Sequence, residues 1–357
     1  MEKIAFIIGE QFLYWAPMIL VIAAFSAMCA FVALQLGTGG KALGTFLVLP
    51  LSLILGILLG RLVHWYCRPD GYESLAAAMT DFASGSYALT GVAAGAVIAV
   101  CFARLIRALD NLPKAFDCLA IAGSLGIAVG RMNHLFNAND RGQVVATITD
   151  LPLVYPVANV VTGEPEYRLA TFMLQAIVAG TLFVVLTVFF LVGKGKKTLR
   201  DGDTCLLFML CYGASQVLFD STRYDSLFLR SNGFVSMVQI LGAVMMAVAF
   251  VLFSIRMVRA NRWKWWYVLL WVGIVGGLTC AGIMEYFVQR RGNEAAMFYN
   301  GMSAGLLLTI GTAIAIYVIA VRAERKLAIA ESLPKMERAQ KAEPTLEELL
   351  DDDKTEN

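Results

Sequence analysis

The stretch LGTFLVLPLSLILGILLGRLVHW, residues 43 to 65, decides the fold class of this chain. It carries no charged side chain before Arg61, and its apolar residues do not alternate with polar ones. A helix needs about 20 consecutive apolar residues to cross the hydrocarbon core of a bilayer. The stretch therefore predicts a transmembrane helix.

Further apolar runs flank this stretch on both sides. They cover residues 11 to 36, 85 to 107, 116 to 136, 169 to 193, 204 to 220, 234 to 255, 264 to 288 and 301 to 321. The chain is 59% hydrophobic and 16% charged, whereas a soluble domain carries about 25% charged residues. The sequence thus predicts an all-α polytopic transmembrane helix bundle of about nine helices. The formal net charge of +2 offers no bulk charge for binding nucleic acid.

The loops between these runs differ in their content of lysine and arginine. Positive residues cluster near residues 41, 104 to 114, 194 to 200, 256 to 264 and 322 to 326. Loops rich in lysine and arginine stay in the cytoplasm. The pattern predicts an N-terminus outside the membrane and a C-terminus in the cytoplasm, although Arg290 and Arg291 lie in a loop predicted to face outward.

Several shorter features indicate structural roles. GTGGK at residues 37 to 41 resembles a phosphate loop, but its spacing favours a plain turn. The N-terminal residues lack the basic start and cleavage site of a signal peptide, so the first run is expected to remain as a span. The seven cysteines lie mostly in apolar runs without a CxxC pair, which favours packing over disulfides or metal binding. Glycines four residues apart, as in Gly56/Gly60 and Gly91/Gly95, predict close helix packing.

Three polar clusters lie at the predicted outer ends of these helices. The first is GRLVHWY at 60 to 66, for whose arginine snorkelling to lipid headgroups is an equal alternative. The second is GRMNHLFNANDRG at 130 to 142, which is too polar for a plain helix cap. The third is QVLFDSTRYD at 216 to 225, where an ion pair within one helix competes. Charges at membrane depth normally face a protein interior or a water-filled cavity, and arginines there suit an anionic phosphate ester.

The second cluster resembles the signature of prolipoprotein diacylglyceryl transferase, a bacterial inner-membrane enzyme, whose pattern is approximately G-R-x-G-N-F-x-N-x-E-x-x-G. The positions that match in register are Gly130, Arg131, Asn137 and Gly142. The first cluster is similar to the family's GRxGYVLFY, the third to its R-x-x-x-E-x-x-R-x-x-D, and GSYALTGVAAG at 85 to 95 to its GGMSFHGGLIG. Family members have seven helices with the N-terminus out and the C-terminus in, similar to the first seven predicted spans.

The resemblance implies an activity and a set of site residues. The implied reaction transfers the diacylglyceryl group of phosphatidylglycerol to the lipobox cysteine of a preprotein, in the bacterial cytoplasmic (inner) membrane. The implied partners are phosphatidylglycerol, lipobox-containing preproteins and membrane lipids, without nucleic acid, metal or cofactor. The resemblance implies Arg131, which matches the essential arginine of the signature, as a catalytic residue, and His134 and His64 are the candidates for a relocated base. The residues implied to bind substrate are Arg61, Asn137, Asn139, Asp220, Arg223, Gln216 and Thr90.

The resemblance also predicts a division of the chain into three parts. Residues 1 to 258 would form a seven-helix membrane domain similar to the diacylglyceryl transferases, and residues 259 to 326 an extra transmembrane hairpin. Residues 327 to 357 end in EELLDDDKTEN, which predicts a solvated acidic tail in the cytoplasm with room for one short helix.

Several positions depart from the family pattern. Thr90 stands where the family has a histidine, and a threonine hydroxyl is no general base near neutral pH. His134 replaces an asparagine, Asn139 a glutamate and Gln216 an arginine, and RLATFML at 168 to 174 replaces HPSQLYE. These departures support an alternative, a non-catalytic relative that binds lipid or envelope protein segments. A transporter would also use charges inside the membrane, but it predicts an internal repeat that the sequence does not show.

Overall fold

A computed structural model of the chain describes most of its length. The described residues are 4–8, 11–80, 87–136, 141–144, 153–159, 162–196, 198–223, 225–230, 232–290 and 295–342. The chain forms two compact units, Met1–Ala249 and Phe250–Asn357, which we call the N-terminal and the C-terminal unit. The predicted boundary at residue 258 stays a prediction.

Helices make up most of the described chain. In order they are Trp15–Gly37 (α1), Ala42–Cys67 (α2), Leu75–Thr80 (α3), Leu89–Leu105 (α4), Leu112–Arg131 (α5), Thr171–Gly195 (α6), Asp203–Ser221 (α7), Met237–Asn261 (α8), Tyr267–Arg290 (α9) and Ala295–Ala342 (α10). Within the described residues, eight helices are long and apolar enough to cross a membrane, and α4 is a shorter apolar helix. The predicted all-α transmembrane bundle is confirmed, while the count of nine spans and the orientation stay predictions.

Three short antiparallel hairpins lie between the helices. They pair Ile4–Ile8 (β1) with Gln11–Tyr14 (β2), Val154–Ala158 (β3) with Pro165–Leu169 (β4), and Phe228–Leu229 (β5) with Asn232–Ser236 (β6). The predicted runs that begin at residues 11 and 234 are therefore wrong at their starts, because those residues belong to strands. Apolarity alone cannot distinguish a strand from the beginning of a helix.

The last helix is longer than the sequence predicts. The apolar run ends near residue 321, but α10 continues to Ala342. The added segment is rich in alanine, glutamate, lysine and arginine, which are strong helix formers that need no apolar partner. The helix in the predicted tail is therefore a continuation of α10.

Helices α2 and α4 pack at backbone contact, as their glycines predict. A Cβ atom on Gly91 would clash with the carbonyl oxygen of Leu59, and one on Gly95 would lie 2.5 Å from the nitrogen of Gly56. The backbone N–H of Ala88 donates to the carbonyl of Gly60 over 3.0 Å. This contact fixes the start of α4 beside the polar end of α2.

A buried carboxylate joins α5 to α7 in the N-terminal unit. Gly202, the residue before α7, has a φ of 97° and no side chain to cap the helix. Asp117 of α5 is fully buried, and its carboxylate accepts the N–H groups of Gly202 at 2.7 Å and Cys205 at 2.8 Å. The side chain of one helix thus satisfies the free amides at the start of another.

The glycine contact predicts a position-specific loss of stability. Gly91→Ala should lower the free energy of unfolding by about 2 kcal/mol, because the added methyl group meets backbone that cannot move aside. Gly123→Ala in α5 is the matched control, because a Cβ there meets nothing within 4 Å, and it should leave stability equal or slightly higher. Thermal unfolding of the detergent-purified protein tests this, and equal midpoints for the two variants would contradict the close approach.

The buried cap predicts a second loss. Asp117→Ala should cost about 2 kcal/mol, because it leaves buried amide groups at the start of α7 without an acceptor. Asp110→Ala removes a carboxylate whose side chain is 60% exposed and paired with Lys41, so it should cost less than about 1 kcal/mol. The same unfolding measurement compares the two variants, and a loss as large for Asp110→Ala would refute the capping role.

Candidate functional site

Two of the predicted polar clusters meet at one end of the N-terminal unit. The backbone N–H of Gly142 donates to the carbonyl of Leu169 over 2.6 Å, and that of Gln143 donates to the carbonyl of Thr222 over 2.9 Å. Gly142 also forms an antiparallel bridge with Arg223. The chain that follows α5 therefore lies between the start of α6 and the end of α7.

Arg223 holds two carboxylates at this end. It lies 3.2 Å from Asp220 and 3.1 Å from Asp225, and the Asp220 side chain has no exposed surface. The ion pair that competed with a binding role in the sequence is therefore present. Because two acids share this guanidinium, the geometry favours a structural role for Arg223, which holds the end of α7 in place.

Arg61 is enclosed by protein near the end of α2. Only 2% of its surface is exposed, and its Nε donates to the carbonyl of Ala78 over 2.8 Å. The guanidinium carbon lies 5.5 Å from the ring centre of Tyr72 and 5.3 Å from that of Tyr87. Aromatic faces attract a cation while keeping water away from it. The snorkelling alternative is wrong, because the side chain is covered by its own unit.

His64 shares Tyr72 with this arginine. The tyrosine hydroxyl and His64 Nδ1 are 3.0 Å apart, and the two rings meet edge to face. Further along, Arg68 Nη2 donates to the carbonyl of Asp225 over 2.8 Å. This hydrogen bond connects the chain just after the first cluster to the last residue of the third.

The end of α5 carries the central arginine of the second cluster. Arg131 is the last residue of α5 and is partly buried, and the 3₁₀ turn Met132–Leu135 follows it directly. Within this turn the side chain of Asn133 is buried, and the ring of His134 meets the edge of Phe172 in α6. The two histidines thus lie in different parts of this end, one beside α3 and one beside α6.

Arg141 is a cluster residue that the sequence did not single out. It is buried, its Nη2 donates to the carbonyl of His134 over 3.2 Å, and its guanidinium lies about 5 Å from the rings of Tyr155 and Phe172. Burial lowers the pKa of Arg141 from its ordinary value, yet an arginine stays charged at neutral pH. The feature of the sequence that could have identified Arg141 is its position in the polar segment 130 to 142.

Gln216 lies deeper between α6 and α7. Both Gln216 and Gln175 are buried, and Gln175 Nε2 donates to Gln216 Oε1 over 3.4 Å. Gln175 Oε1 and Gln216 Nε2 have no hydrogen-bond partner within the described part of the chain. The pair places neutral polar groups between α6 and α7.

Three predicted substrate-binding residues remain: Thr90, Asn137 and Asn139. Thr90 is half-buried in the first turn of α4, beyond the Ala88 contact with α2. Asn137 and Asn139 lie outside the described residues. Among the residues that the structure does describe, no group of three His, Cys, Asp or Glu side chains could hold a metal ion.

These side chains lie at the same end of the N-terminal unit, and we call them the polar cluster. It comprises Arg61, His64, Arg68, Arg131, His134, Arg141, Asp220 and Arg223. The rings beside it limit contact with water, and electrostatic attraction is stronger where water is excluded. Guanidinium groups gathered at one end of a unit are suited to binding an anionic group.

The sequence model of the family described as prolipoprotein diacylglyceryl transferase matches residues 3–255. The chain is 28% identical over 212 residues to a phosphatidylglycerol–prolipoprotein diacylglyceryl transferase of Lactococcus lactis, covering 58% of this chain and 76% of that protein. It is 24% identical over 268 residues to the enzyme of the same name from Bacillus licheniformis, covering 74% of this chain and 96% of the other. A family match over this much of the chain means that the protein belongs to the prolipoprotein diacylglyceryl transferase family.

Proposed function

We propose that the protein transfers the diacylglyceryl group of phosphatidylglycerol to the cysteine thiol of a lipobox preprotein, in the bacterial cytoplasmic membrane. The observation that carries the proposal is the set of enclosed arginines at the polar cluster, in a chain whose family has this activity. With the predicted orientation, the polar cluster lies on the side of the outer leaflet, where secreted preproteins emerge.

The proposed reaction is a displacement at carbon. The thiolate sulfur attacks the glyceryl carbon that carries the phosphate, a carbon–sulfur bond forms, and the carbon–oxygen bond to phosphate breaks. Glycerol phosphate leaves with its negative charge, and the thiol proton passes to a base. Guanidinium groups held in place before the reaction stabilise charge that develops on the leaving phosphate.

We assign the central phosphate contact to Arg131 and a supporting one to Arg61. Arg131 matches the arginine of the family signature, and it begins the turn that carries His134. Arg61 lies between two aromatic rings that shield it from water without neutralising its charge. Arg223, which already binds two carboxylates, is proposed to position the end of α7.

We assign to His64 the role of the base that accepts the proton of the cysteine thiol. Its Nδ1 lies 3.0 Å from the Tyr72 hydroxyl, a contact that fixes the orientation of the ring, as a base needs. The same tyrosine ring lies against Arg61, so base and phosphate contact are neighbours. His134 is the competing candidate from the sequence.

The second candidate function is lipid binding without catalysis. Three features favour it. Thr90 stands where the family has a histidine, and Gln216 where it has an arginine. Arg223 is already paired with two carboxylates. Such a protein would keep the phosphate contacts and lack a complete acid–base set.

The first test is transfer of labelled diacylglyceryl from phosphatidylglycerol to a lipobox peptide by the purified protein. Arg131→Ala should lower the rate about 100-fold or more, because a fixed charge beside the leaving group is lost. Arg259→Ala removes an exposed arginine in the last turn of α8 and should leave the rate unchanged. No transfer by the unaltered protein, with phosphatidylglycerol still bound in equal amount, would replace the transferase proposal with the lipid-binding one.

The base assignment has its own test in the same assay. His64→Gln should lower the rate about 100-fold or more, as expected for a general base, whereas His134→Gln should have a smaller effect. Tyr72→Phe keeps the ring beside Arg61 and removes only the hydroxyl, so an intermediate loss is expected. Wild-type rates in His64→Gln would exclude His64 as the base.

A further inference from the structure

The N-terminal unit contains a cavity at the end opposite the polar cluster. The ends of α1 and α6 and the starts of α2, α5 and α7 surround it, and its volume is about 330 Å³. Its wall includes the glycine-rich turn at 37 to 41, three lysines and two aspartates. The positive-residue pattern of the sequence predicts that this end faces the cytoplasm.

The charges that line the cavity do not cancel. Lys41 pairs with Asp110 at 2.6 Å, and Lys194 pairs with Asp201. Lys114 donates to the carbonyl oxygen of Thr38, and within the described chain it has no carboxylate partner. One positive charge is therefore left over, on an ammonium group that has three donors.

The wall of the cavity also contains a buried amide N–H group that has no partner in the part of the chain that the structure describes. Gln35 lines the cavity, and only 2% of its surface is exposed. Its Nε2 has no hydrogen-bond partner among the residues that the structure describes. Burying an N–H donor without an acceptor is costly, so a ligand oxygen that accepted a hydrogen bond from this amide would remove that cost.

The glycine-rich turn shapes the cavity but does not itself bind like a phosphate loop. The backbone N–H groups of Thr38, Gly39 and Gly40 donate to carbonyls in the last turn of α1. Because these amides already donate hydrogen bonds at the end of α1, they are not available to a ligand. A ligand in the cavity would therefore be bound by side chains. This agrees with the plain turn that the spacing of GTGGK favours.

We propose that this cavity binds a phosphate group, with Lys114 and Gln35 as its main contacts. The group is either the head of an anionic phospholipid of the facing leaflet or a free phosphate, since basic pockets between transmembrane helices bind both kinds of oxyanion through the same chemistry. The site is separate from the polar cluster and does not depend on the proposed transferase activity.

The test measures retention of phosphatidic acid by native mass spectrometry, using the full chain extracted from phosphatidylcholine nanodiscs that contain this lipid. Lys114→Met should lower the affinity for phosphatidic acid about fivefold, which corresponds to the loss of one nearby positive charge. Lys114→Arg should restore binding, because the charge returns. Lys196→Met is the matched control: this exposed lysine lies at the same end but outside the cavity wall, and its loss should change nothing.

A second arm distinguishes the two sources of phosphate. Inorganic phosphate should raise the unfolding temperature in a way that depends on Lys114 if the ligand is free phosphate, and should have no effect if the site needs a lipid. Gln35→Leu, which keeps a similar side-chain volume, should also weaken binding. It replaces Lys114→Met as the test variant if that variant does not fold. Arg131→Ala should leave phosphate binding in this cavity intact. A failure of the transferase proposal can therefore be distinguished from a failure of the phosphate-site proposal. Equal affinity of wild type, Lys114→Met and Gln35→Leu for both probes would overturn the proposal.

Discussion

The structure depends on the absence of hydrogen-bonding water in the bilayer core. Every backbone amide and carbonyl there must be satisfied within the protein, and every charge must be enclosed or paired. Helices meet the first requirement by themselves. The second needs contacts from other parts of the chain, so the partners of the buried ionic groups show how the bundle is assembled. The carboxylate of Asp117 accepts hydrogen bonds from backbone N–H groups at the start of α7. Arg61 donates to a backbone carbonyl, and lies against two aromatic rings, of the segment that follows α2.

The lengths of the apolar runs predicted the helices, because whether a segment can span a membrane depends only on that segment's own residues. The glycine pairs predicted the α2–α4 contact for a related reason, since an absent side chain is visible in the sequence and permits only close packing. Strands β1 and β2 were missed, because an apolar stretch such as Gln11–Tyr14 has no pattern that distinguishes a strand from a helix. The continuation of α10 was missed because its residues form a helix by intrinsic preference and not by apolarity.

The polar cluster was predictable in its location but not in its contacts. Charges next to apolar runs identified all three of its segments. Their partners are far apart in the sequence: the contact between Arg68 and Asp225 joins residues separated by 157 positions, and no local pattern encodes it. Arg141 and Asp117 were missed for the same reason, since the role of each is set by groups from another helix. The pairing of Arg223 with Asp220 could be predicted, because the two lie three residues apart at the end of a predicted helix.

The arginines of the polar cluster differ in what they can offer a phosphate. Arg223 shares its donors between two carboxylates, so an incoming anion would meet a site that already carries negative charge. The aromatic faces beside Arg61 and Arg141 are neutral, and they exclude water without cancelling the positive charge. An anion is therefore attracted more strongly toward these two residues than toward Arg223. Arg61 lies near the end of α2 and Arg141 in the chain after α5, so the phosphate of the proposed substrate would lie between these two helix ends, the second of which carries Arg131.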